Sequence, residues 1–327
     1  MMKKVITFLV AILGSILILF TMGPTSKTPH YVDKLVSFST PLSELQDSIF
    51  LSELSMNAKP CAYGEIKWAD TIGKTDVVLL YLHGFSASQH EGDPLRFTLA
   101  EHFKMNAFYP RMSGHGLIEP DSVRMLTFTA EAAWLKAQRD FSLALSLGRK
   151  VFLMSCSTGS PLAMRLAATY PDKVIGLINY SPNMGLPDPM TNLINGPWGL
   201  EILKTLKGTS HRVVDFRKDG IIEPCKATGY SWESVIQMQE VVESLINEEM
   251  LHKVYAPVMN MVWYESEEHQ DMVISIPKAR KMHASLGSSQ KYWVETAARE
   301  HVILKGITSK DYAKVEAKSI EFLEEIL

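Results

Sequence analysis

Residues 153–161 read LMSCSTGSP. Lys150 and the run Val151 to Met154 make a basic start followed by unbroken apolar residues, the pattern of a strand buried on both faces. After the stretch the period changes, and Leu162, Ala163, Leu166, Ala167 and Tyr170 recur at helical spacing. The chain therefore passes from strand to helix within a few residues of Ser157. So tight a turn has no room for bulky neighbours, and Ser155 and Gly159 supply small residues two before and two after it. Pro161 fits a helix that begins just after Ser157, because the first amides of a helix have no intrahelical bond to lose.

The five residues Ser155 to Gly159 match a G-x-S-x-G nucleophile elbow with serine in place of the first glycine. Taken alone they fit an ordinary strand, turn and helix rich in small residues equally well. The flanking sequence extends the same rhythm. Strands are expected at Val77–Leu82, Ala107–Pro110, Val151–Met154 and Val174–Asn179, separated by helices near Pro94–Phe103, Thr129–Leu147 and up to Tyr170. That alternation predicts an α/β fold with a parallel sheet and crossover helices. It breaks at Ser181, where turn residues and then amphipathic pieces such as Trp232–Ile246 take over. It resumes with strand Pro257–Trp263, helix Pro277–Leu286, strand Lys291–Glu295 and a closing helix from Lys310. A long insertion late in a regular sheet reads as a cap over one end of it. The expected divisions are an N-terminal segment (1–23), a linker and amphipathic helix (24–59), a first core part (60–182), the cap (183–254) and a second core part (255–327).

With 327 residues and 46% hydrophobic content, the chain can bury a large core. Lys+Arg 33 against Asp+Glu 36 leaves a net charge of -3 with no basic stripe, which gives no ground for nucleic-acid binding. The N-terminus stands apart. Lys3 and Lys4 precede an apolar run from Val5 to Met22, near the lower limit of about 17 residues for a spanning helix. It reads as a signal anchor, or as a signal peptide if cleaved near Thr21 or Gly23. The lysines stay cytoplasmic, so the body is expected outside the membrane, anchored to it or secreted. Cys61, Cys156 and Cys225 have no metal-ligand spacing. Cys61 and Cys225 could pair in an oxidising compartment, but the reading favours buried thiols.

A serine hydroxyl is a weak nucleophile and needs a base, an orienting acid and donors for an oxyanion. Of the ten histidines, His301 is best placed: it follows strand Lys291–Glu295 and a short loop, and the elbow's partners come in the order acid, then histidine. A surface histidine at a strand end is the plainer alternative. Asp271 is the candidate acid, with Met272, Val273 and Ile274 as apolar anchors for its loop, while Glu265, Glu267 and Glu268 compete for the role or form a solvated acidic loop. The amide of Thr158, next to the nucleophile, is one expected oxyanion donor. The second is Phe85 in HGFSAS (83–88), where Gly84 lets the backbone approach the serine. His83 and His115, the latter within SGHG (113–116), read as structural residues that prop these loops.

HGF at 83–85, RMSGHG at 111–116, the elbow at 155–159, Asp271 and His301 together resemble the serine α/β-hydrolases, nearest to the branch of carboxylesterases and monoacylglycerol lipases. The similarity spans roughly residues 60–327, with two departures: Ser155 replaces a glycine, and the acidic loop lacks the common glycine shortly before Asp271. The resemblance implies an eight-stranded, mostly parallel sheet, a helical cap, no metal or organic cofactor, and ester hydrolysis through an acyl-enzyme. Cap residues such as Met184, Leu186, Met190, Leu193, Trp198 and Ile202 suit a short to medium acyl ester or a monoglyceride, or simply pack the cap onto the body. The same triad serves thioesterases, acyltransferases and carbon-carbon bond hydrolases, and a silent hydrolase-fold binding module is the rival from another class.

Overall fold

The computed structural model describes residues 6, 12–15, 18–187, 191, 194–213 and 225–327. In chain order the strands are β1 (Glu65–Lys67), β2 (Thr75–Leu82), β3 (Asn106–Tyr109), β4 (Gly148–Cys156) and β5 (Val174–Tyr180). An excursion then carries the short antiparallel ladder of β6 (His211–Val213) and β7 (Gly229–Ser231), and the chain returns through β8 (Val258–Trp263) and β9 (Lys291–Thr296). The main sheet runs β1-β3-β2-β4-β5-β8-β9, parallel except for β1. Among the described residues it has seven strands where eight were expected. β1 is antiparallel and only three residues long, and it closes that edge of the sheet beside β3.

Apolar residues of both parities along the central strands β2, β4, β5 and β8 explain why both faces are covered. Val78, Leu80 and Leu82 of β2 and Val151 and Leu153 of β4 point into one core, against Trp134, Phe141, Leu162 and Leu166. The first two of these partners lie on α3 (Ala130–Leu147) and the last two on α4 (Gly159–Thr169), after α1 (Leu45–Ser55) and α2 (Leu95–His102) in the chain. The alternate residues Leu79, Tyr81, Phe152 and Met154 face the opposite core, with Leu95 and Leu99 of α2. Helix α3 starts where the Thr129 hydroxyl accepts the Ala132 amide at 3.1 Å, an N-cap for an otherwise orphaned donor.

The excursion between β5 and β8 also contains α5 (Gly199–Lys207), α6 (Trp232–Ser244) and α7 (Glu248–His252); α8 (Ile276–Ser285) and α9 (Tyr312–Ile326) complete the fold. Met190, Leu193 and part of the N-terminal apolar run lie outside the described residues. Trp198 and Ile202 are each 40% exposed, whereas Met184 packs on the core. Among the described residues no helix is long and apolar enough to cross a membrane. Residues 24–39 have no regular structure, yet they are tied along α3: the Lys34 and Val36 amides donate to Gln138 Oε1 and Ser142 Oγ, and Trp134 Nε1 donates to Asp33.

One expectation is corrected. Cys61 and Cys225 are not separate thiols but a disulfide, with Cα atoms 5.9 Å apart, and Cys156 is buried elsewhere. Spacing gave no hint, because the two cysteines are separated by 164 residues and the excursion alone folds one back onto the other. Closing so long a loop restricts the unfolded chain. Reduction, or Cys225→Ser, is expected to lower stability by about 2–5 kcal/mol. A urea melt with and without reductant reads this, and superimposable curves with both thiols titrated as free would refute it.

Candidate active site

β4 ends at Cys156 and α4 begins at Gly159, so Ser157 sits on the turn between them with φ 49°, a left-handed conformation that costs a side-chain-bearing residue energy. The turn is held from outside. Ser157 N–H donates to Tyr180 O at 3.0 Å, and its carbonyl accepts the amides of Ser160 and Asn183. A Cβ on Gly159 would collide with the carbonyl of Leu82, so this position admits only glycine.

Ser155, where glycine is usual, has its own account. Its hydroxyl donates to Asn179 Oδ1 at 2.7 Å and lies 3.0 Å from Ser160 Oγ. Asn179 then donates to Asn260 Oδ1 (2.9 Å), and Asn260 Nδ2 to His283 Nδ1 (2.9 Å). Ser155, Asn179 and Asn260 are register partners across β4, β5 and β8, so the extra hydroxyl is absorbed by a polar ladder crossing the sheet. Burial, aided by Lys291, holds His283 below its usual range and keeps its ring able to accept. A polar residue in each of two apolar strand runs was the signal in the sequence, though not of what it paired with.

His301 Nε2 stands 2.9 Å from Ser157 Oγ, and its Nδ1 donates to Asp271 Oδ2 at 2.7 Å. Asp271 is almost wholly buried; its Oδ1 accepts the Val273 amide, and its own amide donates to Trp263 O. Ile274 is the buried anchor of this loop, while Met272 and Val273 are exposed, so one apolar residue and two backbone bonds aim the carboxylate. Glu265, Glu267 and Glu268 stay on the exposed part of the loop, Glu265 paired with Arg299. Ser181 Oγ donates to the His301 carbonyl at 2.6 Å and fixes the histidine loop from below. Burial disfavours the imidazolium of His301, but the Asp271 carboxylate outweighs it by charge and hydrogen bond, and the ring titrates above its ordinary range.

His83 and His115 are buried and both shifted downward, opposite to His301. Burial and His115 push His83 well down, and burial brings His115 to about 4. Each is bonded to backbone at both nitrogens: His83 to Gly84 O and Met112 N, His115 to Ser113 O and Ser86 N. They brace the two loops as neutral rings. Arg111 of the same loop is buried against Glu53 of α1 at 2.6 Å and donates to His115 O.

Gly84 passes so close to the serine that a Cβ there would lie 3.1 Å from Ser157 Cβ. Phe85 and Thr158 both line a cavity of about 220 Å³ that opens on Ser157, and neither amide donates to an acceptor among the described residues. Leu186, Val235, Met238, Val273 and Val302 give the cavity an apolar wall. Nothing in the sequence singled out Glu91. Buried at 2% exposure, it accepts from Tyr81 Oη (3.0 Å) and from the Gly84 amide, and so fixes the peptide that leads into Phe85. No cluster of histidine, cysteine and carboxylate groups suited to a metal exists among the described residues.

No family model and no curated protein matches this sequence. Solved structures do match in fold. A metagenome-derived lipolytic enzyme of the LipS and LipT pair superposes with a TM-score of 0.64 at 16% identity, covering 82% of this chain and 99% of that one. The monoacylglycerol lipase of Paleococcus ferrophilus gives 0.58 at 18% identity, over 81% and 99%. A soluble variant of monoglyceride lipase from Saccharomyces cerevisiae gives 0.57 at 14%, over 81% and 92%. The chain thus has the α/β-hydrolase fold.

Asn179→Leu would leave Ser155 and Asn260 each short of a partner. The expected loss is on the order of 1–3 kcal/mol per orphaned group. Chemical denaturation of this variant and of Asn179→Leu combined with Ser155→Gly reads the coupling; additive losses would mean the ladder does not act as a unit.

Proposed function

We propose that the protein is a serine hydrolase of carboxylic esters, with short acyl esters favoured. The observation that carries this reading is the continuous chain from Asp271 through His301 to Ser157, with two amides beside it that donate to no acceptor among the described residues. In the mechanism Ser157 Oγ attacks the ester carbonyl while His301 Nε2 takes its proton. The amides of Phe85 and Thr158 bind the oxyanion, and Asp271 orients the ring and balances its positive charge. His301 then returns the proton to the leaving alcohol, and water repeats the cycle on the acyl-enzyme to release the acid. Monoglycerides, substrates suggested by the names of two structural neighbours, share the chemistry. The cavity of about 220 Å³ favours a smaller acyl group. We further propose that the excursion of residues 183–254 caps the site, and that the body lies outside the cytoplasmic membrane, anchored by residues 1–23. The Cys61–Cys225 disulfide and the lysine-flanked apolar run support that location.

Treatment with a fluorophosphonate probe should give an adduct on Ser157 by mass spectrometry, absent in Ser157→Ala. A folded protein that neither labels nor turns over nitrophenyl esters would leave only the binding-module reading. The pH dependence follows from His301. The neutral ring is the active base, so kcat/KM should rise with pH through a midpoint above 6.5 and fall away below it. Asp271→Asn should lower that midpoint and reduce kcat by roughly three to four orders of magnitude. Glu91→Gln, which keeps the acceptor oxygen but removes a charge that also raises His301, should move the midpoint down by less. A midpoint unmoved by either substitution would contradict this electrostatic account.

A further inference from the structure

The two outer strands of the main sheet end it differently. At the β1 edge the outward groups are taken within the chain: the Ile66 amide donates to Gln46 Oε1 at 2.8 Å, and Gln46 Nε2 donates to Gly64 O at 3.2 Å. At the β9 edge, Val258 N–H donates to Gln290 O and Tyr264 N–H to Thr296 O, so the even-numbered residues turn their peptide groups to β8. Lys291, Trp293 and Glu295 therefore turn theirs outward. Among the described residues no group bonds to these amides and carbonyls.

Charged side chains on an edge strand commonly guard it against pairing, but those of β9 are turned aside. Lys291 Nζ donates to Ala284 O (2.8 Å) and Leu286 O (3.1 Å) at the C-terminus of α8, and Glu295 pairs with Arg280 of α8 at 2.7 Å. Tyr292, Trp293 and Val294 are each only partly buried at this edge. Beside them a groove runs between β9 and α9, lined on the helix by Lys314 and Lys318 and then by Glu321 and Glu325.

We propose that β9 pairs with β9 of a second copy of this chain, antiparallel about a twofold axis through Trp293. The outward residues are spaced evenly about Trp293, so Trp293 faces its copy, Lys291 faces Glu295 of the copy at both ends, and every outward amide meets an outward carbonyl. Opposite charges thus lie across from each other, and Tyr292 comes beside Val294 of the copy, an aromatic and β-branched pair. The same axis sets α9 antiparallel to its copy, lysine end towards glutamate end. A foreign strand would satisfy the backbone alone, whereas a second copy also matches the charges. No residue of β9 lines the reaction cavity, so the pairing uses nothing that the site needs.

The test is sedimentation equilibrium of the intact protein in a density-matched nonionic detergent. A monomer–dimer equilibrium is expected, and Lys291→Glu or Glu295→Lys, which set like charges opposite each other, should raise its dissociation constant about tenfold or more. The double swap restores opposite pairs and should bring the constant back to within a few-fold of its starting value. Lys291→Pro deletes one outward amide and no bond to β8, so it should weaken the dimer whether or not the charge variants fold well. A chain that stays monomeric at about 100 µM overturns the proposal. So does a dimer that neither the single swaps nor Lys291→Pro weakens, which would place association on another surface. A double variant that binds no tighter than the single ones, all folded by near-ultraviolet circular dichroism, overturns the pairing as well.

Discussion

The site depends on one unfavourable backbone conformation. Holding Ser157 at φ 49° costs on the order of 1–3 kcal/mol, and it persists because the surroundings leave the chain no alternative. β4 is bonded on both sides, to β2 and β5, and delivers the chain at a fixed point; α4 must start at once to cover the sheet. Between them the bonds to Tyr180 and Asn183 and the closeness of Gly159 to Leu82 admit a single path. The hydroxyl is thereby presented to His301 before any substrate arrives.

Electrostatics then separates one histidine from two others. His83, His115 and His301 are all close to the reaction cavity, and burial works against the charged form of each. His83 and His115 meet backbone groups, which satisfy a neutral ring and leave it neutral. His301 meets a carboxylate, which reverses the shift. The same residue type is a neutral brace in two places and a ring able to hold a proton beside Ser157 in the third because of what lies at its second nitrogen.

The excursion after β5 supplies the outer half of the cavity, and its attachment is covalent as well as packed. The bond from Ala227 to Ser86 joins it to the loop that carries Phe85, and the disulfide from Cys225 to Cys61 joins it to the turn before β1. Tyr230 packs on the Phe85 ring. The outer wall of the cavity and the loop that carries Phe85 are therefore one mechanical unit.

Period and residue type were enough to read the parallel sheet, its crossover helices and the late excursion, because strands buried on two faces and helices buried on one leave different local patterns. They were also enough to mark Ser157, His301 and Asp271 as the right kinds of residue in a known order. They did not supply the antiparallel edge strand β1, the disulfide, the ladder from Ser155 to His283, or the buried Glu91. Each of these is a relation between residues far apart in the chain, and local sequence carries no information about distance across a fold. Sequence by itself determined the elements and the available chemistry. Tertiary structure alone decided which groups meet, since the parallel sheet brings the loops after β4, β8 and β9 to one edge and so sets the distances of 2.7 and 2.9 Å.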